Sequence, residues 1–484
     1  MTDQPAATSS DAKSSEPVDA LVETYHTVGD LRYTATSGRI VLRQEVFTDD
    51  TSDGHKPKAE LSITSYVLEG TEHARRPVTF AFNGGPGSSS VWLHLGVLGP
   101  RRVVSGDVGA MAAPPYGLVD NEETLLRHSD LVFIDPVSTG YSRAVDGEKA
   151  KPFHGFTGDV ESVAEVIRLW TTRNNRWMSP KFLAGESYGT TRAAALADYL
   201  QTRYSMYLNG VMLISPVLDF ATIDFTPTND LPYSLFLPTY AAIAHYHGLH
   251  GDRPLRDVLD EAEEFAADRY PWALARGNRL STQERAEIVA KVAALTGVSE
   301  EYVDSVDMRL EHIRYYTQLL RHQGLVVGRL DGRFTGHDVD YGRERFSSDP
   351  FLNAILGPYA AALNHYVRAE LGYSSDLPYE VLSRSVHPWS YSEFENTFVL
   401  VSDKLAAAMR ANPHLRVHVA CGYYDGGTPH FAAEHTMAQL RVPASLASNI
   451  EFKYYESGHM MYLHEPSRLA QSADLAAFIR ASVS

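Results

Sequence analysis

The sequence predicts an α/β fold: a central, mostly parallel sheet with helices on both faces and a helical cap insertion. Three observations carry that prediction. Six short apolar runs are spread along the chain, and five of them end in a glycine-bearing or otherwise unusual loop. Helical stretches separate several of them, as where Val160, Val163, Ile167 and Trp170 share one face at helical spacing. Between Pro216 and about Pro388 the strand pattern nearly disappears, and afterwards it resumes. Continuous apolar strands are buried on both sides, which is how the strands of a helix-covered parallel sheet read.

Taken in order, residues 1–18 are rich in Ser, Ala, Asp and Pro, bury almost nothing, and are expected to form a disordered tail. The first part of the core, 19–216, opens between Tyr25 and Leu68 with alternating apolar residues broken by turns such as TSDG, a pattern of strands. Four apolar runs follow: Val78 to Phe82, Leu131 to Asp135, Lys181 to Gly185, and Val211 to Ser215. The segment 217–388 is expected to be a mainly helical cap, with Ser281-x-x-Glu284 as a capping box ahead of EIVAKVAAL. No Gly/Ser/Pro-rich linker flanks it, which favours an insertion over an independent domain. The second part of the core, 389–484, holds the runs Arg416 to Gly422 and Ile450 to Gly458. In open α/β sheets the ligand site lies beyond the carboxyl ends of the strands, so chemistry is expected in those loops.

The chain has 484 residues, 44% hydrophobic and 21% charged, with a net charge of −17. That balance argues against a nucleic-acid partner, which would need a basic face. No apolar run is long enough to span a bilayer, so no membrane partner is expected. A homodimer is compatible with the sequence. The single Cys421 allows no intrachain disulfide. Together with a start lacking a basic and an apolar region, it predicts a cytoplasmic location, with export by another route left open.

Gly185-Glu186-Ser187-Tyr188-Gly189 follows an apolar run and precedes an Ala-rich helical stretch. In that context G-x-S-x-G forms a sharp strand-to-helix turn that lifts a serine hydroxyl above the sheet edge. A phosphate loop is a poor alternative, because the spacing is wrong and no Lys follows Gly189. A nucleophilic serine needs a base, and the base needs an orienting carboxylate. In α/β-hydrolases these follow as Ser, Asp/Glu, His. Asp425 in CGYYDGGTP and His459 in ESGHMMYLHEP each follow a late apolar run, with His464 and His430 as weaker rivals. The glycine-rich Asn83-Gly84-Gly85-Pro86-Gly87 after VTFAF allows close backbone approach and suits one side of an oxyanion hole, with the Tyr188 amide on the other. His245-x-His247-x-x-His250 lacks the neighbouring pattern of a zinc site, and neither metal nor cofactor is expected.

These residues resemble the serine carboxypeptidases, in a disulfide-free, bacterial-type form. Five ordered blocks carry the resemblance. NGGPGSSS at Asn83–Ser90, with Gly99-Pro100, resembles the family's NGGPGCSS; DPVSTGYS at Asp135–Ser142 resembles its D-x-P-x-G-T-G-F-S. GESYG, GYYD at Gly422–Asp425 and GHMMYLHEP at Gly458–Pro466 resemble the three blocks that bear its triad. The resemblance implies a serine-type carboxypeptidase of the α/β-hydrolase fold that releases C-terminal residues from peptides with a free C-terminus. Ser187 would be the nucleophile, His459 the base and Asp425 its acid, with Gly85 and Tyr188 as oxyanion donors. Asn83 and Glu186 match the positions that hold the substrate's terminal carboxylate. Because two carboxylates meeting must share a proton, Glu186 would have to be protonated, while His459 must be neutral. A bell-shaped pH profile is expected.

The departures are Ser88 for the family's cysteine, Tyr423 for the first acid of G-D-x-D, Tyr462 for a proline, and Val97 for a second acid that shares a proton with the clamp glutamate. Without that like-charged neighbour Glu186 ionises more readily, whereas an apolar Val97 desolvates it and acts oppositely. An esterase or acyltransferase on the same triad, and a non-catalytic binding protein, are the competing readings. Tyr233, Phe236 and Tyr240 in the cap are candidates for a subsite wall, against a role in ordinary cap packing.

Overall fold

The apolar runs become strands whose side chains alternate between two covered faces. This computed structural model describes residues 16–106, 108 and 112–483. Three long antiparallel strands come first: β1 (Ala20–Val28), β2 (Leu31–Thr48) and β3 (Thr51–Leu68). The six apolar runs then give β4 (Val78–Phe82), β5 (Asp130–Ile134), β6 (Lys181–Glu186), β7 (Gly210–Ile214), β8 (Arg416–Gly422) and β9 (Ile450–Tyr455). Their order across the sheet is β1-β2-β3-β5-β4-β6-β7-β8-β9, and the pair Arg143–Ala144 adds to β3. From β5 to β9 all neighbours are parallel, and β3 joins β5 antiparallel. Every residue of β4, β5, β6 and β7 is buried, the two-sided burial that their unbroken apolar character requires.

Phe80, Phe82 and Leu183 enter one layer beneath helices α1 (Phe156–Arg173) and α2 (Tyr188–Tyr204). The face of α1 read from the sequence is the one that docks, with Val160, Val163, Ile167 and Trp170 all in that layer. Ala81, Phe182 and Ala184 enter the opposite layer. Between β7 and β8 the chain builds a third apolar cluster from α3 (Leu231–Tyr246), α4 (Leu255–Ala267), α5 (Thr282–Thr296) and the residues around Tyr315. Phe236 and Tyr240 are buried in this cluster, and Tyr233 packs against it. None of the three reaches the cleft described below; ordinary cap packing claims them. Ser281 and Glu284 form the expected capping box at the start of α5. The helices of this region are interrupted by a two-stranded ribbon, Val326–Val327 with Thr335–Gly336, too short to show in a hydrophobic pattern. Helix α6 (Pro350–His365) returns to the sheet and packs in the second layer, with the C-terminal α7 (Glu465–Val483) on that same side.

Residues 1–15 of the expected tail lie outside the described residues. Glu16 pairs with Arg43, and the Pro17 carbonyl accepts from the same guanidinium at 3.0 Å. His245, His247 and His250 do not converge: their Nε2 atoms meet the separate carbonyls of Arg253, Gly332 and Leu295. No described helix is long and apolar enough to cross a membrane.

Candidate active site

The register of the parallel strands lines up the loops that matter. Phe82 of β4 stands opposite Gly185 of β6, Ile214 of β7 lies between Glu186 and Ala420, and Gly422 of β8 stands opposite Tyr455 of β9. The residues just beyond these ends therefore share one rim. Asn83, Gly85, Glu186, Ser187, Tyr188 and His459 all line one cleft of about 250 Å³ above it. Asp425 lies behind His459.

Ser187 occupies the turn from β6 into α2 at φ +60° and ψ −131°, a conformation costly for a residue with a Cβ. The turn is held by Ser187 N–H donating to Ile214 O at 3.0 Å and by Thr190 N–H donating to Ser187 O at 2.8 Å. Within the buried run from Lys181 to Ala197, Ser187 alone keeps partial exposure. A side chain on Gly84 would bring a Cβ to 2.4 Å from the Tyr188 nitrogen, so the β4 loop can approach the start of α2 only because that position is bare. Tyr188 is the first residue of α2 and its amide has no acceptor within the helix. Gly85 faces the same cleft at φ +103°.

β9 is three strands away from β6, so the His459 loop must travel roughly 14 Å back across the sheet edge at a strand spacing of about 4.8 Å. Three contacts pin it there. His459 N–H donates to Leu330 O at 2.7 Å, and Ser215, just past β7, donates its hydroxyl to His459 O at 2.7 Å. Gly458 N–H meets Asp331 Oδ2 at 3.2 Å, and a Cβ on Gly458 would fall 2.4 Å from the Asp331 side chain. Asp331 is itself fixed by a buried two-point pair with Arg333 at 2.9 and 2.6 Å. These anchors come from the segment between β7 and β8, so that insertion shapes the site from above as well as covering it.

Asp425 is fully buried, with Oδ1 accepting from the Gly427 and Thr428 amides at 2.8 and 3.0 Å. Its Oδ2 lies 2.7 Å from His459 Nδ1 and accepts the Thr428 hydroxyl at 2.8 Å. A carboxylate only accepts, so Nδ1 carries the proton and Nε2 is left with its lone pair toward the cleft. Burial disfavours the charged imidazole, yet the Asp425 charge and hydrogen bond, with Glu186 nearby, outweigh it and hold His459 above the usual histidine value. His464 bonds Ser467, and His430 pairs with Glu263; neither rival lines the cleft.

Asn83 donates Nδ2–H to Glu186 Oε1 at 2.9 Å, while its Oδ1 accepts from Leu93 N–H at 3.1 Å and its carbonyl from Arg192 at 2.6 Å. The other Glu186 oxygen accepts the Tyr462 hydroxyl at 2.8 Å. Burial pushes the Glu186 carboxyl up to about 7, against the lowering influence of His459, Tyr462 and Asn83. Val97 is itself buried, at 1% exposed. The sequence offered Tyr462 only as a departure from a pattern, and no spacing rule pairs it with Glu186. Arg329, Ile223, Leu352 and Ile355 also line the cleft and carried no signal in the sequence.

A serine at a strained turn after a parallel strand, a buried Asp–His pair at the same rim and helices on both faces define an α/β-hydrolase. The family described as serine carboxypeptidase matches residues 65–465. The chain belongs to the serine carboxypeptidase family and is a peptide hydrolase of that class. Among solved structures it is similar to Kex1Δp, a prohormone-processing carboxypeptidase from Saccharomyces cerevisiae. The two are 14% identical over 93% of this chain and 92% of that one, with a TM-score of 0.56, a likeness of fold. A proline iminopeptidase from Mycobacterium smegmatis (13% identity, 95% and 98% covered, TM-score 0.34) and an esterase from Exiguobacterium antarcticum (11%, 87% and 96%, 0.38) are more distant. No curated protein sequence matches the chain.

Proposed function

We propose that this carboxypeptidase cleaves peptides at a free C-terminus through Ser187, His459 and Asp425, with Asn83 and Glu186 receiving the terminal carboxylate. His459 Nε2 takes the Ser187 proton as the oxygen attacks the scissile carbonyl, and the imidazolium is stabilised by Asp425. The tetrahedral oxyanion accepts from the amides of Gly85 and Tyr188. His459 returns its proton to the leaving amine, and a water, deprotonated by His459, then hydrolyses the acyl-enzyme and regenerates the serine.

The observation that carries the reading is the Asn83–Glu186 pair beside Ser187, with the carboxyl held near neutrality. A protonated Glu186 donates to a substrate carboxylate where an ionised one would repel it. Activity thus needs Glu186 protonated, a state lost as pH rises through about 7, and His459 neutral, a state lost as pH falls below its raised value. The bell-shaped kcat/KM reports the pair's joint titration.

The test compares N-blocked dipeptides bearing free or amidated C-termini in wild type and Glu186→Gln. Wild type should prefer the free acid and lose that activity on the alkaline side, whereas Glu186→Gln should lack the alkaline fall. Equal turnover of acid and amide by wild type would remove the clamp. A fluorophosphonate should label wild type and not Ser187→Ala; labelling of both would remove the nucleophile.

A further inference from the structure

The wall of the cleft is apolar over most of its extent, with Trp92, Val217, Ile223, Leu352, Ile355 and Met460 among its residues. Into this wall projects one cation other than histidine, Arg329. It follows the short strand Val326–Val327 and sits in the segment whose next residue, Leu330, accepts the His459 amide. Its Nη1 lies 3.4 Å from where a Cβ on Gly427 would stand, directly beside the Asp425 loop. Its field acts on His459, Tyr316 and Asp349.

Among the described residues Arg329 takes part in no ion pair. Its neighbour Arg333 shows the contrast, being bound at two points to Asp331 and thereby committed to structure. Asp349 feels the Arg329 charge, which lowers its carboxyl against a stronger raising effect of desolvation, but it forms no ion pair with the guanidinium among the described residues. A half-buried guanidinium between apolar walls is costly without a partner. Its planar fork suits a carboxylate met at two points.

We infer that Arg329 is a specificity residue that selects peptides carrying an aspartate or glutamate side chain next to the scissile bond. The inference rests on the reading above, in which Asn83 and Glu186 already hold the terminal carboxylate, leaving a side-chain carboxylate as the group for Arg329. The whole chain carries −17, so its long-range field disfavours acidic peptides and the selection has to be local.

The experiment measures kcat/KM on blocked dipeptides with free C-termini, in which Leu, Glu or Lys occupies either the acyl-donating or the leaving position. Full-length wild type, Arg329→Met, Arg329→Lys and Arg329→Glu are compared. In wild type the Glu substrate of one position should exceed its Lys counterpart, and the position that shows the preference locates the subsite. Arg329→Met should lower the Glu-to-Leu ratio about tenfold, Arg329→Lys should retain part of it, and Arg329→Glu should turn the preference toward Lys. An unchanged Glu-to-Leu ratio in Arg329→Met overturns the inference while leaving the carboxypeptidase reading intact. Loss of the free-acid over amide preference in that variant overturns it as well, and with it the assignment of the terminal carboxylate to Asn83 and Glu186. If wild type turns over none of these substrates, the reading of the active site falls and this inference with it.

Discussion

Tyr462 shows how one substitution rearranges a polar cluster. Its ring lies where a side chain on Gly96 would collide, at 2.3 Å, so the bare Gly96 is what admits it beside Glu186. The hydroxyl then supplies a neutral donor to a carboxyl whose second acidic neighbour, expected from the resemblance, is absent. A donor to the charged form lowers a carboxyl's pKa, so removing it raises the value. Tyr462→Phe is therefore expected to move the alkaline limb of kcat/KM for free-acid substrates to higher pH. It should also cost about 1–3 kcal/mol of stability for the lost hydrogen bond to a buried carboxyl. A pH titration of kcat/KM checks the sign, and an alkaline limb that moves downward or stays in place refutes the role. The candidates Ser187, Asp425 and His459 were legible one by one because each sits in a loop that follows an apolar run. Tyr462 and Arg329 were not, because their meaning depends on which atoms they meet, 276 residues away in the case of Tyr462 and Glu186.

At the scale of elements, α1 and α2 are tied behind the Asn83 side of the cleft by a buried ion pair. Arg192 of α2 meets Asp159 of α1 at 2.8 and 3.1 Å, each 1% exposed, and its remaining Nη1 donates to the Asn83 carbonyl. The pair thus connects the helix that follows Ser187 to the loop that follows β4. Removing one partner of a buried pair leaves an uncompensated charge and typically costs about 3–5 kcal/mol. Asp159→Ala is expected to lose stability of that order. It should also lower kcat on free-acid substrates, because Arg192 is no longer held in line with Asn83. Thermal unfolding followed alongside turnover tests this, and a variant as stable as wild type would show the pair to be dispensable. The same scale explains the cap. The loss of strand pattern marked it as helical, and the Ser281 box formed as its sequence demands, but the ribbon at Val326–Val327 gave no periodic signal. Two-residue strands exist only because a partner is brought to them.

Taken as a whole, the molecule carries a surplus of acidic side chains spread over a fold whose cleft is mostly apolar. A net charge of −17 attracts cationic peptides over a distance set by salt, roughly 20 Å at low ionic strength and about 8 Å at 0.15 M. For a blocked dipeptide with two lysines and a free C-terminus, net charge +1, kcat/KM should fall about two- to threefold between about 20 and 150 mM salt, while a one-lysine analogue of zero net charge stays level. A flat response for the two-lysine substrate would mean that surface charge plays no part in capture. The local effect assigned to Arg329 is screened far less, so the salt series separates the two.

From the sequence alone came the alternation of buried strands and helices, the loops at the strand ends, and the candidates Ser187, Asp425 and His459. Hydrophobic periodicity and glycine-bearing turns are local properties, written within a few residues of the chain. Only the tertiary structure decided that the β9 loop folds back over β7 to bring His459 to the cleft, that Tyr462 serves Glu186, and that Arg329 stands in the wall with no carboxylate paired to it among the described residues. Those facts depend on strand order and on contacts made across hundreds of residues, and nothing in the spacing of neighbouring side chains encodes them.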